Sequence, residues 1–211
     1  MDLFNVRRDF SLKTLNESDA LPDPIAMLQL WIDNAIEAKA LEPNAMVLST
    51  VSAEGKPSSR VVLLKELKNN GLVFFSNYES KKGNEMDKNP NVAATFIWHE
   101  LERQVRVEGR VAKLSGEESD LYYNMRPKDS RIGAWASPQS RTIADRQYLE
   151  KEVERYAALF EGKEINRPPR WGGYLITPTL LEFWQGRKNR LHDRIEYQQE
   201  GNKWVVKRLA P

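Results

Sequence analysis

The spacing of apolar residues changes along the chain, and each change marks a change of element. Ile25, Leu28, Trp31, Ala35 and Ile36 recur at helical spacing. Asp23 followed by Pro24 supplies an N-cap and a first helical residue, so an amphipathic helix is expected to run to about Lys39. From Ala45 the period falls to two. Strands at 45–52, 58–67 and 72–76, joined by turns at 53–56 and 69–71, make an antiparallel meander. A short polar helix follows at 80–89, then strands at 91–98 and 103–114. In the second of these, Val105, Val107 and Val111 share one face while Gln104, Arg106, Glu108 and Arg110 share the other, so Gln104 points away from the valines. Residues 116–125 and 142–160 read as helices outside the sheet, the latter carrying Tyr148, Val153, Tyr156, Ala157 and Phe160. The end returns to strands at 173–177, 180–184, 191–198 and 204–209, with Glu200, Gly201 and Asn202 turning the last hairpin.

Roughly seven or eight short strands in hairpin order, with a few interspersed helices, favour a closed or partly closed antiparallel barrel over a parallel α/β sheet. The fold class expected is therefore mainly β with flanking helices, α+β, and no glycine-rich dinucleotide fingerprint interrupts it. The 211 residues are 40% hydrophobic, enough for one core, so residues 23–211 are expected to form a single domain. Residues 1–22 are polar and irregular, with Arg7, Arg8, Asp9 and Phe10 as their concentrated feature, and read as a mobile arm.

Charge and composition narrow the chemistry. With 32 basic and 30 acidic residues the net charge is only +2, which does not imply a surface that tracks nucleic-acid phosphates. The absence of cysteine removes disulfides, thiolate metal sites and a cysteine nucleophile, and two histidines make a histidine-rich metal site implausible. Redox chemistry would need a borrowed cofactor. The charged first ten residues lack a signal-type apolar stretch and no run approaches the roughly 18 apolar residues of a membrane span, so a soluble cytoplasmic protein is expected.

Four segments could carry function. If residues 190–194 are extended, Arg190, His192 and Arg194 project to one face, and three such heads repel one another unless an anion binds between them. A solvated hairpin edge is the plainer reading of a basic strand, but Trp184 and Gly186 just before it suit a packed flat ring and a close backbone approach. Together they suggest an aromatic, phosphate-bearing ligand. Arg60 and Lys65 bracket four apolar residues and, five apart, face opposite sides of a regular strand, so they serve two places or a bulge lies between them. Residues 76–83 bring hydroxyls, an amide, Lys81 and Lys82 to a helix start, where phosphate is favoured. Residues 126–135 read as a second basic, hydroxyl-bearing loop preceded by Tyr122, or as only a helix cap and turn, and 137–140 as a polar turn.

In their order along the chain these blocks resemble the pyridoxine (pyridoxamine) 5′-phosphate oxidases. The likeness runs from Arg7 to the terminal Arg208-Leu209-Ala210-Pro211. It is strongest in the runs RVVLLK at 60–65, RPKDSRIGAW at 126–135, FWQG at 183–186 and RLHDR at 190–194. The resemblance implies an FMN-binding split β-barrel homodimer, with FMN at the subunit interface. It also implies oxidation of pyridoxamine or pyridoxine 5′-phosphate by O₂ to pyridoxal 5′-phosphate with release of H₂O₂. Carried across by motif, the FMN contacts are Arg60, Val61, Val62, Leu63, Leu64 and Lys65, with Phe75, Ser76, Lys81 and Lys82. Gln104, Gln139, Ser140, Trp184 and Arg194 complete them. The substrate phosphate falls to Lys65, Tyr122, Arg126 and Ser130. Arg190, Leu191 and His192 lie at the pyridine ring, Arg190 and His192 as the catalytic pair, and Arg7, Arg8, Asp9 and Phe10 resemble the family's N-terminal lid. This chain has Phe10 and Phe75 where tyrosine is frequent in the family, and Lys81 where arginine is frequent.

Two other classes compete. A non-catalytic flavin or phosphate sensor could use the same barrel, since fold does not fix function, although the substrate-side set Lys65, Arg126, Ser130, Arg190 and His192 argues for an enzyme. An RNA-binding barrel would show salt-dependent RNA retention, which the balanced charge does not favour.

Overall fold

The computed structural model describes residues 2–5, 9–68 and 71–211, so Arg7 and Arg8 of the expected lid and the first two positions of the 69–71 turn lie outside the described residues. Asp23 caps α1 (Pro24–Glu37) by accepting the Ile25 amide at 2.9 Å. The helix buries Met27, Leu28, Trp31, Ile32 and Ala35 but leaves Ile36 exposed, so its core stripe is narrower than the sequence spacing implies. The strands are β1 (Ala45–Val51), β2 (Pro57–Leu63), β3 (Glu66–Lys68), β4 (Gly71–Asn77), β5 (Asn91–Trp98), β6 (Arg103–Lys113), β7 (Trp171–Gln185), β8 (Asp193–Glu200) and β9 (Lys203–Arg208). They form one sheet in the order β2-β1-β5-β6-β7-β4-β3, with β8 and β9 continuing from β7, and every pairing is antiparallel.

The expected 58–67 strand is two strands. Leu64 donates its amide to Asn44 O at 2.8 Å, on the β1 side, and Lys65 donates to Val73 O at 2.8 Å, on β4. Those two residues carry the chain from one end of the sheet to the other and so curl it into a split barrel, the irregularity that the spacing of Arg60 and Lys65 had left open. Conversely, the two strands expected at 173–177 and 180–184 are one. Pro178 lies where β7 leaves its partner β4 at Ile176 and takes up β8 at Leu180, so its missing N–H costs no ladder bond, and a bulge against Glu108 and Gly109 absorbs the shift.

The barrel is filled by Leu48, Phe74, Phe96, Val105, Leu181, Phe183 and Ile195, all fully buried. Each large side chain among them contributes about 1.5–3 kcal/mol. Trp31 of α1 packs edge-on against Phe183 at 5.1 Å and closes one end. Outside the sheet lie α2 (Lys81–Lys88), α3 (Gly116–Met125), α4 (Lys128–Ala136) and α5 (Arg146–Leu159). The basic segment expected as a loop at 126–135 is thus mostly helix: Pro127 stands at its N-cap, where proline costs nothing, and Ile132, Ala134 and Ala136 are buried. The last helix begins at Arg146 rather than 142, where Asp145 caps it through the Tyr148 amide. Among the described residues no helix is long and apolar enough to cross a membrane.

Candidate functional site

Where β2, β4, α2, α3 and α4 meet, a cavity of about 910 Å³ collects the cations Arg60, Lys65, Lys81, Lys82 and Arg126. Arg60, Lys65, Ser76, Lys81, Lys82, Tyr122, Arg126, Ser130, Gln139 and Ser140 all line it. Val61, Val62 and Leu63 of β2 border it as well, while Leu64 is turned into the core at 6% exposure. The Phe75, Tyr122 and Trp171 rings lie nearly parallel, with centroids 3.8 Å (Phe75–Tyr122), 5.6 Å (Phe75–Trp171) and 6.2 Å (Tyr122–Trp171) apart, and make a flat aromatic wall.

Lys82 is the most constrained of these cations. Ser80 caps α2 through the Gly83 amide, and the helix start drops Lys82 into the floor, where Nζ donates to Ser76 Oγ and Gln139 Oε1, each at 2.9 Å. All its partners are neutral, so burial, with the nearby Arg60 charge, lowers its pKa to about 8. Arg60 is braced differently. Its guanidinium donates to Ser58 Oγ at 2.6 Å, Leu48 O at 3.2 Å and Glu85 Oε2 at 3.5 Å. Burial pushes the Glu85 carboxyl up, but hydrogen bonds from Thr50 and Ser58 and the charges of Arg60 and Lys81 hold it below its ordinary value. Arg126 lies over the Trp171 ring at 4.5 Å, and its buried Nη1 has no hydrogen-bond partner. An unpaired buried guanidinium nitrogen beside Lys65 and Ser130 suits an anion.

The remaining expected site residues lie elsewhere. Gln104, Trp184 and Arg194 form one cross-strand row on β6, β7 and β8, since Gln104 pairs with Trp184 and Trp184 with Arg194. Arg194 is held by Glu182, Nε to Oε1 at 2.8 Å and Nη2 to Oε2 at 3.0 Å. Residues 190–194, however, are not a continuous strand. Lys188–Arg190 forms a 3-10 turn with Asn189 at φ 57° and Arg190 at φ 61°, and β8 starts only at Asp193. Arg190, His192 and Arg194 therefore do not share a strand face. The turn instead folds the His192 ring back onto Trp184, 4.5 Å between centroids.

Phe10 completes this second cluster, edge-on to Trp184 at 5.7 Å and to His192 at 5.8 Å. Gly186 makes its seat, since a Cβ there would lie 2.8 Å from the Phe10 side chain. The close approach expected of this glycine is thus made by the chain's own leading segment. That segment is pinned further along: Ser11 and Leu12 donate their amides to Glu102 Oε2 at 2.7 and 3.0 Å, and Leu15 donates to Asp193 Oδ2 at 3.1 Å. Arg208 ties Leu15 O and Asp193 together at 2.9 Å each.

Among the described residues, nothing from this second cluster lines the cavity. Trp171 borders the cavity and Trp184 the second cluster, near opposite ends of the 15-residue β7, roughly 40 Å apart along an extended strand. The sequence reading missed the acids that brace each half. Glu182, an acid in the apolar run 180–184, was the one visible sign. Glu85 and Glu102 sit in segments that read as surface, and only the fold buries them.

Residues 32–160 match the family model described as pyridoxamine 5′-phosphate oxidase, and residues 171–211 the one described as pyridoxine 5′-phosphate oxidase C-terminal dimerisation region. A pyridoxine/pyridoxamine 5′-phosphate oxidase of Cupriavidus pinatubonensis is 54% identical over 210 residues, 99% of each chain. One of Cyanothece sp. is 48% identical over 211 residues, covering 100% of this chain and 99% of that one. Among solved structures, PhzG from Burkholderia lata 383, in complex with tetrahydrophenazine-1-carboxylic acid, superposes with a TM-score of 0.89 at 31% identity, covering 95% of this chain and 100% of that one. A pyridoxamine 5′-phosphate oxidase-related, FMN-binding protein of Nostoc punctiforme shares the fold at a TM-score of 0.67 and 16% identity, over 89% of this chain and 95% of that one. With its barrel core and its C-terminal dimerisation strands both accounted for, the chain belongs to the pyridoxine/pyridoxamine 5′-phosphate oxidase family of enzymes.

Proposed function

We propose that the protein is an FMN-dependent oxidase converting pyridoxamine or pyridoxine 5′-phosphate to pyridoxal 5′-phosphate, with O₂ as acceptor and H₂O₂ as product. The observation that carries this reading is one cavity lined by five cations, Arg60, Lys65, Lys81, Lys82 and Arg126, and by a flat aromatic wall, more positive charge than one phosphate needs. Lys82, a buried cation with only neutral partners, fits the cofactor phosphate together with Arg60, Ser76, Lys81, Gln139 and Ser140. Arg126, whose Nη1 is unpaired, fits the substrate phosphate together with Lys65, Tyr122 and Ser130. When bound, FMN supplies the hydride acceptor for the C4′ carbon of the substrate and passes the electrons to O₂.

The protein's own contribution is placement and charge. Leu63 and its β2 neighbours give a backbone edge for the flavin's polar rim, and the Phe75 ring gives a flat apolar wall. Arg190 and His192 orient the pyridine ring and stabilise the charge that develops there. Because they and the row Gln104, Trp184 and Arg194 stand at the far end of β7, a complete site takes one half from each of two chains. The tetrahydrophenazine acid held by PhzG carries a carboxylate and no phosphate, and five cations along one cavity, more than one phosphate needs, favour a phosphate-bearing substrate here. Purified protein should be yellow, carry one FMN per subunit and release H₂O₂ with pyridoxamine 5′-phosphate. Protein that stays colourless with added FMN, or that oxidises unphosphorylated pyridoxine equally well, would contradict the reading.

A further inference from the structure

We infer that His192 works as the neutral tautomer with its proton on Nε2, a fixed hydrogen-bond donor to the substrate and not a base. The inference rests on the proposed reaction only for the use to which the proton is put. Its origin is a single backbone contact: the Arg187 amide donates to His192 Nδ1 at 3.1 Å. A backbone N–H can only donate, so Nδ1 must present a lone pair, and the one proton of a neutral imidazole is left on Nε2. Among the described residues, Nε2 makes no hydrogen bond, so that proton is available to a ligand.

The surroundings hold this state from several sides. Asp193 is the carboxylate closest in sequence and could otherwise draw a proton to Nδ1. Its oxygens are already taken by Arg187 Nη1 at 3.2 Å, Arg208 Nη1 at 2.9 Å and the Leu15 amide at 3.1 Å. Those bonds also fix the Arg187 backbone that does the selecting. Protonating Nδ1 would set two N–H groups against each other and forfeit that bond. Burial and the Arg190 charge oppose the imidazolium further and lower the His192 pKa, outweighing the pull of Asp193. The Phe10 and Trp184 rings pack on the imidazole and allow it no easy flip. With Nδ1 engaged and Nε2 already protonated, no lone pair faces the substrate. His192 can orient an acceptor atom of the substrate but cannot take its proton.

Nitrogen NMR reads the tautomer directly. Long-range proton–nitrogen correlation on ¹⁵N-labelled holoprotein at about pH 8, with His99→Gln to assign the only other histidine, should show a pyridine-type Nδ1 and a pyrrole-type Nε2. The opposite pattern, or an imidazolium at that pH, would overturn the inference whether or not the proposed reaction occurs. Kinetics gives a second readout. The glutamine amide reaches the Nε2 position and the asparagine amide the Nδ1 position, so His192→Gln should keep an anaerobic flavin-reduction rate about tenfold above that of His192→Asn. Equal, severe losses in both would mean that a proton acceptor had been removed.

Discussion

The two ends of β7 are built on opposite plans. At the Trp171 end the cations sit in a cavity whose floor is braced by buried groups: Lys82 by two serines and Gln139, Arg60 by Glu85, Thr50 and Ser58. That half is complete before any ligand arrives. At the Trp184 end the aromatic and basic groups lie on an open sheet face and a tight turn, and what covers them is the chain's own leading segment, seated by Gly186 and pinned through Glu102 and Asp193. The contrast suits a division of labour. On the proposed function, a preformed anion cradle would select for phosphate, and a second surface, carried by a turn and a strap, would supply the groups that act on the ring. Preorganised charge in the first place would then give affinity, and preorganised donors in the second would give rate.

The sharpest way to break this division is to remove the donor at the Trp184 end. Arg190→Met should slow anaerobic flavin bleaching by roughly 10²–10³-fold, the scale for losing one preorganised donor, with FMN content and reoxidation by O₂ unchanged. Stopped-flow traces showing normal bleaching and slow reoxidation would move Arg190 out of the reductive half-reaction. A change at the Trp171 end should be felt in binding instead. Lys65→Ala or Arg126→Ala removes a charge-assisted bond of about 1.5–3 kcal/mol, equivalent to roughly 10–150-fold in KM for the phosphorylated substrate, with a smaller change in kcat. Steady-state kinetics with kcat falling instead of KM rising would erase the distinction between the two ends.

The smallest effect is a proton. With Lys82 at about pH 8 in the folded chain, below the roughly 10.4 of free lysine, the unfolded chain holds that proton more tightly. The contribution of Lys82 to apoprotein stability therefore rises as pH climbs from about 8 toward about 10.4. A bound phosphate favours the charged form, so cofactor binding above about pH 8 should take up a proton and weaken by no more than about tenfold per pH unit. Calorimetry in two buffers of different ionisation enthalpy would show it, and binding without proton uptake would place the phosphate elsewhere.

Most of the barrel was legible because its strands are half-buried and alternate, as Val105, Val107 and Val111 do opposite Gln104, Arg106 and Glu108. The misreadings share a cause: a local signal outweighed by a partner far along the chain. Pro178 reads as a strand break, yet β7 passes through it because its partners change there. Pro127 and Gly133 read as loop residues, yet burial of Ile132 and Ala134 makes the segment helical. The turn at Asn189 and Arg190 carries no glycine to mark its positive φ, so alternation was extended through it to His192. The site's cations were visible in sequence as basic clusters. Their braces were not, because Glu85 looks like a surface acid until α2 docks it against Thr50 of β1, and Glu102 until the leading segment packs over it.

The claim that each complete site takes its phosphate cradle from one chain and its reactive turn from another is tested most directly by mixing defects. Arg126→Ala and Arg190→Met chains, each impaired alone at low substrate, should be co-expressed and the mixed dimers assayed. If the halves come from different chains, a mixed dimer has one site carrying both changes and one carrying neither. A random mixture should then recover about one quarter of wild-type activity, far above either parent. If both halves served a site within one chain, every site would keep one defect and the mixture would stay at the average of its parents, which would contradict the account.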